Sequence, residues 1–224
     1  MSLLSNAAVL LGKELRTEFR SRELLTTTVV FILVVIVLFS FTFDPTSSES
    51  RRFAPGLLWL AFLFAASLML QPCFLREQNN DTLSALRLSV RDPFAIFLAK
   101  LMANTLFLVF TQMVLLPVFS ILYNIPVAGV FPQLMLVMLM GSLGLSVTGT
   151  ALSAISAQAR MRELLLPLLL LPLLTPVLIA STEATAALLD AKPELRWDWL
   201  GFLLAFDIVF LTALWLFGEY LLEE

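Results

Sequence analysis

Leu24 to Phe43 reads LLTTTVVFILVVIVLFSFTF, twenty residues without a charge. That is the length a helix needs to cross a hydrocarbon core about 30 Å thick. Beyond the polar stretch Asp44 to Arg52, Phe53 to Leu75 supplies another 23 uncharged residues before Arg76. Leu101 to Ala159 carries no charge over 59 residues, too many for one helix and enough for two. Asn, Pro and Gly favour turns, so the break falls in Tyr123-Asn124-Ile125-Pro126 through Gly129 and Pro132. Leu164 to Thr182 is a fifth apolar run. The sixth starts at Trp199 and is interrupted by one charge before Gly218, Asp207. Backbone polar groups in lipid must be satisfied internally, which makes each span a helix. The sequence therefore predicts an all-α integral membrane protein, a single transmembrane domain over 1–224. Its six spans fall at about 24–43, 53–75, 95–123, 131–157, 164–182 and 199–220.

Composition agrees. Of 224 residues, 59% are hydrophobic and 14% charged, and the mean hydropathy is +0.93. Soluble domains hold about half apolar and a quarter charged residues, so a soluble enzyme, a nucleic-acid binder and a disordered chain are excluded. There is no histidine and one cysteine, Cys73. An internal disulfide is impossible, and so is a zinc site built on His or several Cys. Orientation follows from the basic residues. With the N-terminus inside, Lys13, Arg16, Arg20, Arg22, Arg76, Arg87, Arg91, Lys100, Arg160 and Arg162 are cytoplasmic; Arg51, Arg52, Lys192 and Arg196 are outside. Ten against four fits the positive-inside bias and puts both termini in the cytoplasm. The first span is too long for a signal-peptide core and is read as retained.

Two elements are not spans. At 100° per residue over 3–22, Leu4, Ala8, Leu11, Leu15 and Phe19 fall on one arc, with Lys13, Arg16 and Arg20 opposite. Such a helix lies in the membrane surface with its bases near anionic headgroups; the competing reading is a plain cytoplasmic extension whose bases only set topology. The second element, 77–92, lies between spans two and three. Asn80 or Asp81 can cap a short helix there, with Pro93 ending it or starting the next. Leu83 and Leu86 share a face. A helix this short is marginal in water and needs a partner; a charged surface loop is the alternative.

Several chemistries are missing. Gly12-Lys13 is not a phosphate loop, because Ala7 stands where the first Gly belongs and Glu14 where Ser or Thr should hold magnesium. A Ser–His pair cannot form, and a two-aspartate protease needs a second buried acid. The chain is read as not an enzyme, with no catalytic or metal residues. Asp207 stands out, since a carboxylate near a span centre costs about 2.5–3.5 kcal/mol and usually faces an interior or a water-filled cavity. It serves either a function or a structural hydrogen bond nearer the outer interface. The fourth span carries small residues at helical spacing: Ser142, Ser146, Thr150 and Ala154 on one stripe, Gly149, Ser153 and Ala157 on another. Small residues allow close helix approach, within one chain or between two. Pro167, Pro172 and Pro176 predict a kinked or irregular fifth span. Met135, Met138 and Met140 read as packing or lipid-facing side chains, with thioether ligation of haem iron the remote alternative.

The N-terminal helix, six spans and short intervening helix together resemble an ABC-2-type (type V exporter-like) permease, the membrane half of an ABC transporter. Local sequence narrows this. Glu14-Leu15-Arg16 with Phe19-Arg20, and Phe53-Ala54-Pro55-Gly56-Leu57-Leu58-Trp59-Leu60-Ala61, resemble the haem exporter protein B (CcmB) family of cytochrome c maturation. So do Phe94-Ala95-Ile96-Phe97-Leu98-Ala99-Lys100-Leu101-Met102-Ala103, Gly149-Thr150-Ala151-Leu152-Ser153-Ala154, and Pro167 to Thr182. One departure is at Asp81-Thr82-Leu83-Ser84-Ala85, where the family often has Gly before the Leu and an acid after it.

The resemblance implies a multi-pass protein of the bacterial inner membrane, working as a homodimer with the ATPase subunit CcmA and alongside CcmC, CcmD and the haem chaperone CcmE. It implies ATP and Mg on the partner, and haem as a handled ligand rather than a cofactor of this chain. Glu77, Asp81, Thr82, Leu83, Leu86 and Arg87 become the ATPase-docking coupling helix. Two outcomes stay open, outward movement of haem or release of haem-loaded CcmE from CcmC. The rival readings are an ABC-2 permease for a lipid, glycan or drug, and a membrane scaffold without a transport path. With no histidine, any haem path lacks the commonest protein ligand.

Overall fold

The computed structural model describes residues 3–42, 48–75, 77, 86, 88, 90, 92–157 and 162–222, and among them all regular structure is helical. Helix α1 is Leu3–Ser21, α2 is Glu23–Thr42 and α3 is Ser48–Leu70. After them come α4 (Phe94–Leu122), a 3-10 turn at Ala128–Val130, α5 (Phe131–Ala157), α6 (Arg162–Leu189) and α7 (Trp197–Leu222). Among the described residues, helices α2 to α7 are the six long and apolar enough to cross a membrane.

Helix ends depart from the apolar runs for local reasons. The second run continues to Leu75, but α3 stops at Leu70. Pro72 has no N–H to donate and disfavours helical geometry at Gln71, and the Cys73 N–H closes a turn onto the Leu70 carbonyl at 3.1 Å. The fifth run ends at Thr182, yet α6 continues through Glu183 to Leu189. Alanine is the strongest helix former, and Ala184, Ala186 and Ala187 carry the helix on while Glu183 stays exposed. The same helix runs unbroken past Pro172 and Pro176. Between α4 and α5 the chain reverses at Asn124, whose φ of 49° lies in the left-handed region that Asn tolerates.

Successive spans run in opposite directions, and α5 is the hub, packed against α3, α4, α6 and α7. The core holds Trp59, Phe62, Leu108, Leu134, Met138 and Val177. Polar groups cross-link it at several levels. Asn104 donates to Thr150 Oγ1 at 3.2 Å, Ser142 to Gln112 Oε1 at 3.0 Å, and Ser153 to the Leu70 carbonyl at 2.9 Å. Trp59 Nε1 donates to Thr185 Oγ1 at 2.9 Å. In a bilayer such bonds contribute roughly 0.6–1.7 kcal/mol each. At Gly149, α5 meets α3 so closely that any Cβ would collide with Leu70. By contrast α2 and α7 leave most of their surface outside the bundle.

Helix α1 packs along α4. Its apolar arc is split. Leu11 and Leu15 pack on the core, while Leu4, Ala8 and Phe19 stay exposed, and the most buried positions are Ala7 and Glu18. Periodicity alone put the five apolar residues on one face. The rotation comes from the acids: Glu14 reaches Lys100, and Glu18 Oε1 accepts from the Leu25 N–H at 3.1 Å, capping the first turn of α2.

Candidate functional site

Three elements meet at the end of the bundle where α3 finishes and α4 begins. The turn after α3 brings the Cys73 carbonyl and Glu77 to this end. Lys100 lies on the second turn of α4, and Lys13 and Glu14 stand side by side on α1. Lys100 Nζ donates to the Cys73 carbonyl at 2.5 Å, to Glu77 Oε1 at 2.9 Å and to Glu14 Oε1 at 3.3 Å. Lys13 Nζ donates to the same Glu77 oxygen at 3.0 Å and to Glu14 at 3.2 Å. The Lys100 ammonium also sits 5.0 Å from the centre of the Phe74 ring. Two cations and two anions thus tie α1, the root of the α3–α4 connection and α4 into one joint.

Its electrostatics are those of a buried pair. Lys100 is 3% exposed and Glu77 5%. Burial pushes the Glu77 carboxyl up, but the adjacent Lys100 ammonium, with Lys13, outweighs it and holds Glu77 below the ordinary carboxylate range. Burial keeps the Cys73 thiol above its usual value and hence neutral. Removing one member of such a pair strands the other in a dry site, at a cost of about 3–5 kcal/mol. Beside the joint is a cavity of about 30 Å³ lined by Glu14, Glu18, Cys73, Lys100 and Asn104, near the volume of one water molecule. Among the described residues no three His, Cys, Asp or Glu side chains converge as a metal site. The joint can hold three segments together and pass displacement of one to the others.

The residues singled out from sequence are distributed as follows. Glu77 points into the joint rather than out to solvent. Leu86 packs on the cluster of Phe74, Phe97 and Leu101. Asp81, Thr82, Leu83 and Arg87 lie outside the described residues. Ser142, Thr150 and Ser153 make the cross-links from α5 to α4 and α3, Gly149 faces Leu70, and Ser146 is fully buried. Asp207 is on α7 with Oδ1 buried and lacking a hydrogen-bond partner among the described residues. That oxygen is 3.0 Å from where a Cβ on Gly144 would stand.

Sequence reading missed the joint itself: Lys13 and Lys100 count there as topology bases, Glu14 as a departure from the phosphate loop, and Glu14 and Lys100 as members of separate family-like blocks. The available signal was a lysine inside the third apolar helix together with acids on the apolar side of α1. The blocks that carry the family likeness also meet here or in the cross-links: Glu14 with Lys100, Trp59 with α6, and Thr150 and Ser153 with α4 and α3.

The family model described as CcmB protein matches residues 5–217. Heme exporter protein B of Pseudomonas aeruginosa is 33% identical over 187 residues, covering 84% of this chain and 83% of that protein. The protein of the same name from Rhodobacter capsulatus is 31% identical over 174 residues, or 78% and 79% of the two chains. That of Escherichia coli K12 is 34% identical over 91 residues, 41% of each. With the family model spanning nearly its whole length, this chain belongs to the CcmB protein family.

Proposed function

We propose that the chain is the permease subunit of an ABC-type complex that handles haem in cytochrome c biogenesis, powered by ATP hydrolysis on a separate subunit. The observation that carries this reading is the joint at Glu77 and Lys100. A connection that receives force from a partner needs a stiff root, and here the root is tied to both α1 and α4. The names of the relatives, heme exporter protein B, supply the cargo.

In this reading 77–92 is the coupling element. Asp81, Thr82, Leu83 and Arg87 meet the ATPase CcmA, and Leu86 seats the element on the Phe74–Phe97 cluster. Glu77 transmits the displacement inward instead of touching the partner. Closure of two ATPase subunits on a homodimer of this chain moves the ends of α3 and α4, and α1 follows. The basic residues gathered at the joint's end support an inner-membrane protein with cytoplasmic termini and with α1 along the headgroups. CcmC, CcmD and CcmE complete the assembly, and haem is cargo. The absence of histidine favours weak passage of haem, or mechanical release of the haem-loaded chaperone, over a tight haem site in this chain.

The docking assignment is tested by co-purification. Leu83→Asp places a charge on the coupling face and is expected to abolish recovery of the ATPase with the tagged permease, with the permease itself still folded. Normal recovery of the ATPase sinks the assignment.

A further inference from the structure

On the outside of the bundle, α2 and α4 diverge to leave a groove of about 480 Å³, closed at one end by α1. Its wall changes character along its length. At the mouth stand Arg22 and the exposed ring of Phe19; one turn in is Thr26; deeper come Val29 and Val30 of α2 facing Phe110 and Val114 of α4. The 26, 29/30 spacing puts these α2 positions on one stripe below Arg22. Arg22 occupies the turn between α1 and α2 at φ 57°, held there by its N–H to the Glu18 carbonyl and its carbonyl to the Thr26 N–H.

Depth matters to the identity of the occupant. The twenty residues of α2 just span the hydrocarbon core, so Arg22, immediately before it, sits at headgroup level. Among the described residues its guanidinium has no ion-pair partner, and no acid lines the groove. Glu23, the nearest acid in sequence, is exposed but does not line the groove. Arg16 and Arg20, also exposed on α1, add positive potential at the same end. Basic pockets between spans at headgroup depth are the usual receptors for anionic lipid headgroups.

We infer that this groove holds one anionic phospholipid, its phosphate on Arg22, its glycerol–ester region at Thr26 and one acyl chain between α2 and α4. Cation, hydroxyl and hydrocarbon follow one another in the wall in the order in which phosphate, ester and chain follow one another in the lipid.

Native mass spectrometry of the detergent-purified full chain, titrated with phosphatidylglycerol or phosphatidylcholine, tests this. The first phosphatidylglycerol is expected to bind roughly fivefold more tightly than the first phosphatidylcholine, the factor one basic residue near the surface contributes. Arg22→Gln should remove most of the preference, Arg22→Lys should keep it, and Arg16→Gln, at a position that does not line the groove, should lower it less. Val30→Trp, which fills the groove from its exposed wall, should weaken both lipids and remains informative if Arg22→Gln does not fold. Equal binding of the two lipids by the natural chain overturns the proposal, as does an undiminished preference in Arg22→Gln. Dimers that Val30→Trp disrupts while lipid binding stays intact also overturn it, and give the groove to a second copy.

Discussion

Lys100 on α4 and Asp207 on α7 are both ionisable groups on membrane-spanning helices, and the fold serves them in opposite ways. The Lys100 ammonium is surrounded, by a backbone carbonyl, two carboxylates and an aromatic face. One oxygen of Asp207 is buried against Gly144 with no donor among the described residues. A saturated buried charge fixes geometry, because every departure breaks several contacts at once. A buried carboxyl oxygen without a donor holds little in place and carries a cost of burial. The comparison therefore separates a structural joint from a candidate working residue.

The largest effect that can break this contrast is Lys100→Met. It takes the Lys100 ammonium away from Glu77 and Glu14, and the full chain in mild detergent is expected to lose about 3–5 kcal/mol by thermal unfolding. Adding Glu77→Leu should recover a good part of that loss, since removing both partners of a buried pair costs far less than removing one. A single variant as stable as the natural chain removes the joint from the account.

A smaller effect concerns pH. The Glu77 carboxyl is held below its ordinary value of about 4.3. Its stabilising contribution is thus complete above that value and is lost only as pH falls through the depressed one. Unfolding temperature should stay level from about pH 7 to 5 and drop below about pH 4, and Glu77→Gln should lessen the drop. A fall already present between pH 7 and 5 contradicts the pairing.

The smallest structural effect belongs to Asp207→Asn. Stability is expected to hold or rise slightly, because the buried oxygen has no donor to lose and the amide carries no charge to bury, while mature cytochrome c in cells falls. A destabilisation as large as that of Lys100→Met would erase the contrast; unchanged cytochrome c would leave Asp207 without a role.

How much of this was legible beforehand varies with the physics. The six spans were, because the cost of charge in lipid writes itself as uncharged runs. Helix ends were less so: Pro72 ends α3 inside such a run, and alanines carry α6 past Glu183. Asp207 was legible because a charge within a span is conspicuous. The joint was not, since Lys100 finds its acids 23 and 86 positions away in the chain, and a lysine beside a span reads equally well as a topology signal. The inward turn of Glu14 and Glu18 was hidden for the same reason: periodicity sorts apolar from polar but does not know which polar residues have partners.

The central claim is that this chain does its work on force from a partner ATPase. In cells lacking their own heme exporter protein B, the chain and its cognate ATPase should restore c-type cytochromes. Replacing the phosphate-loop lysine of the ATPase should abolish that restoration while leaving the complex assembled. Full cytochrome c maturation with the inactive ATPase would contradict the account.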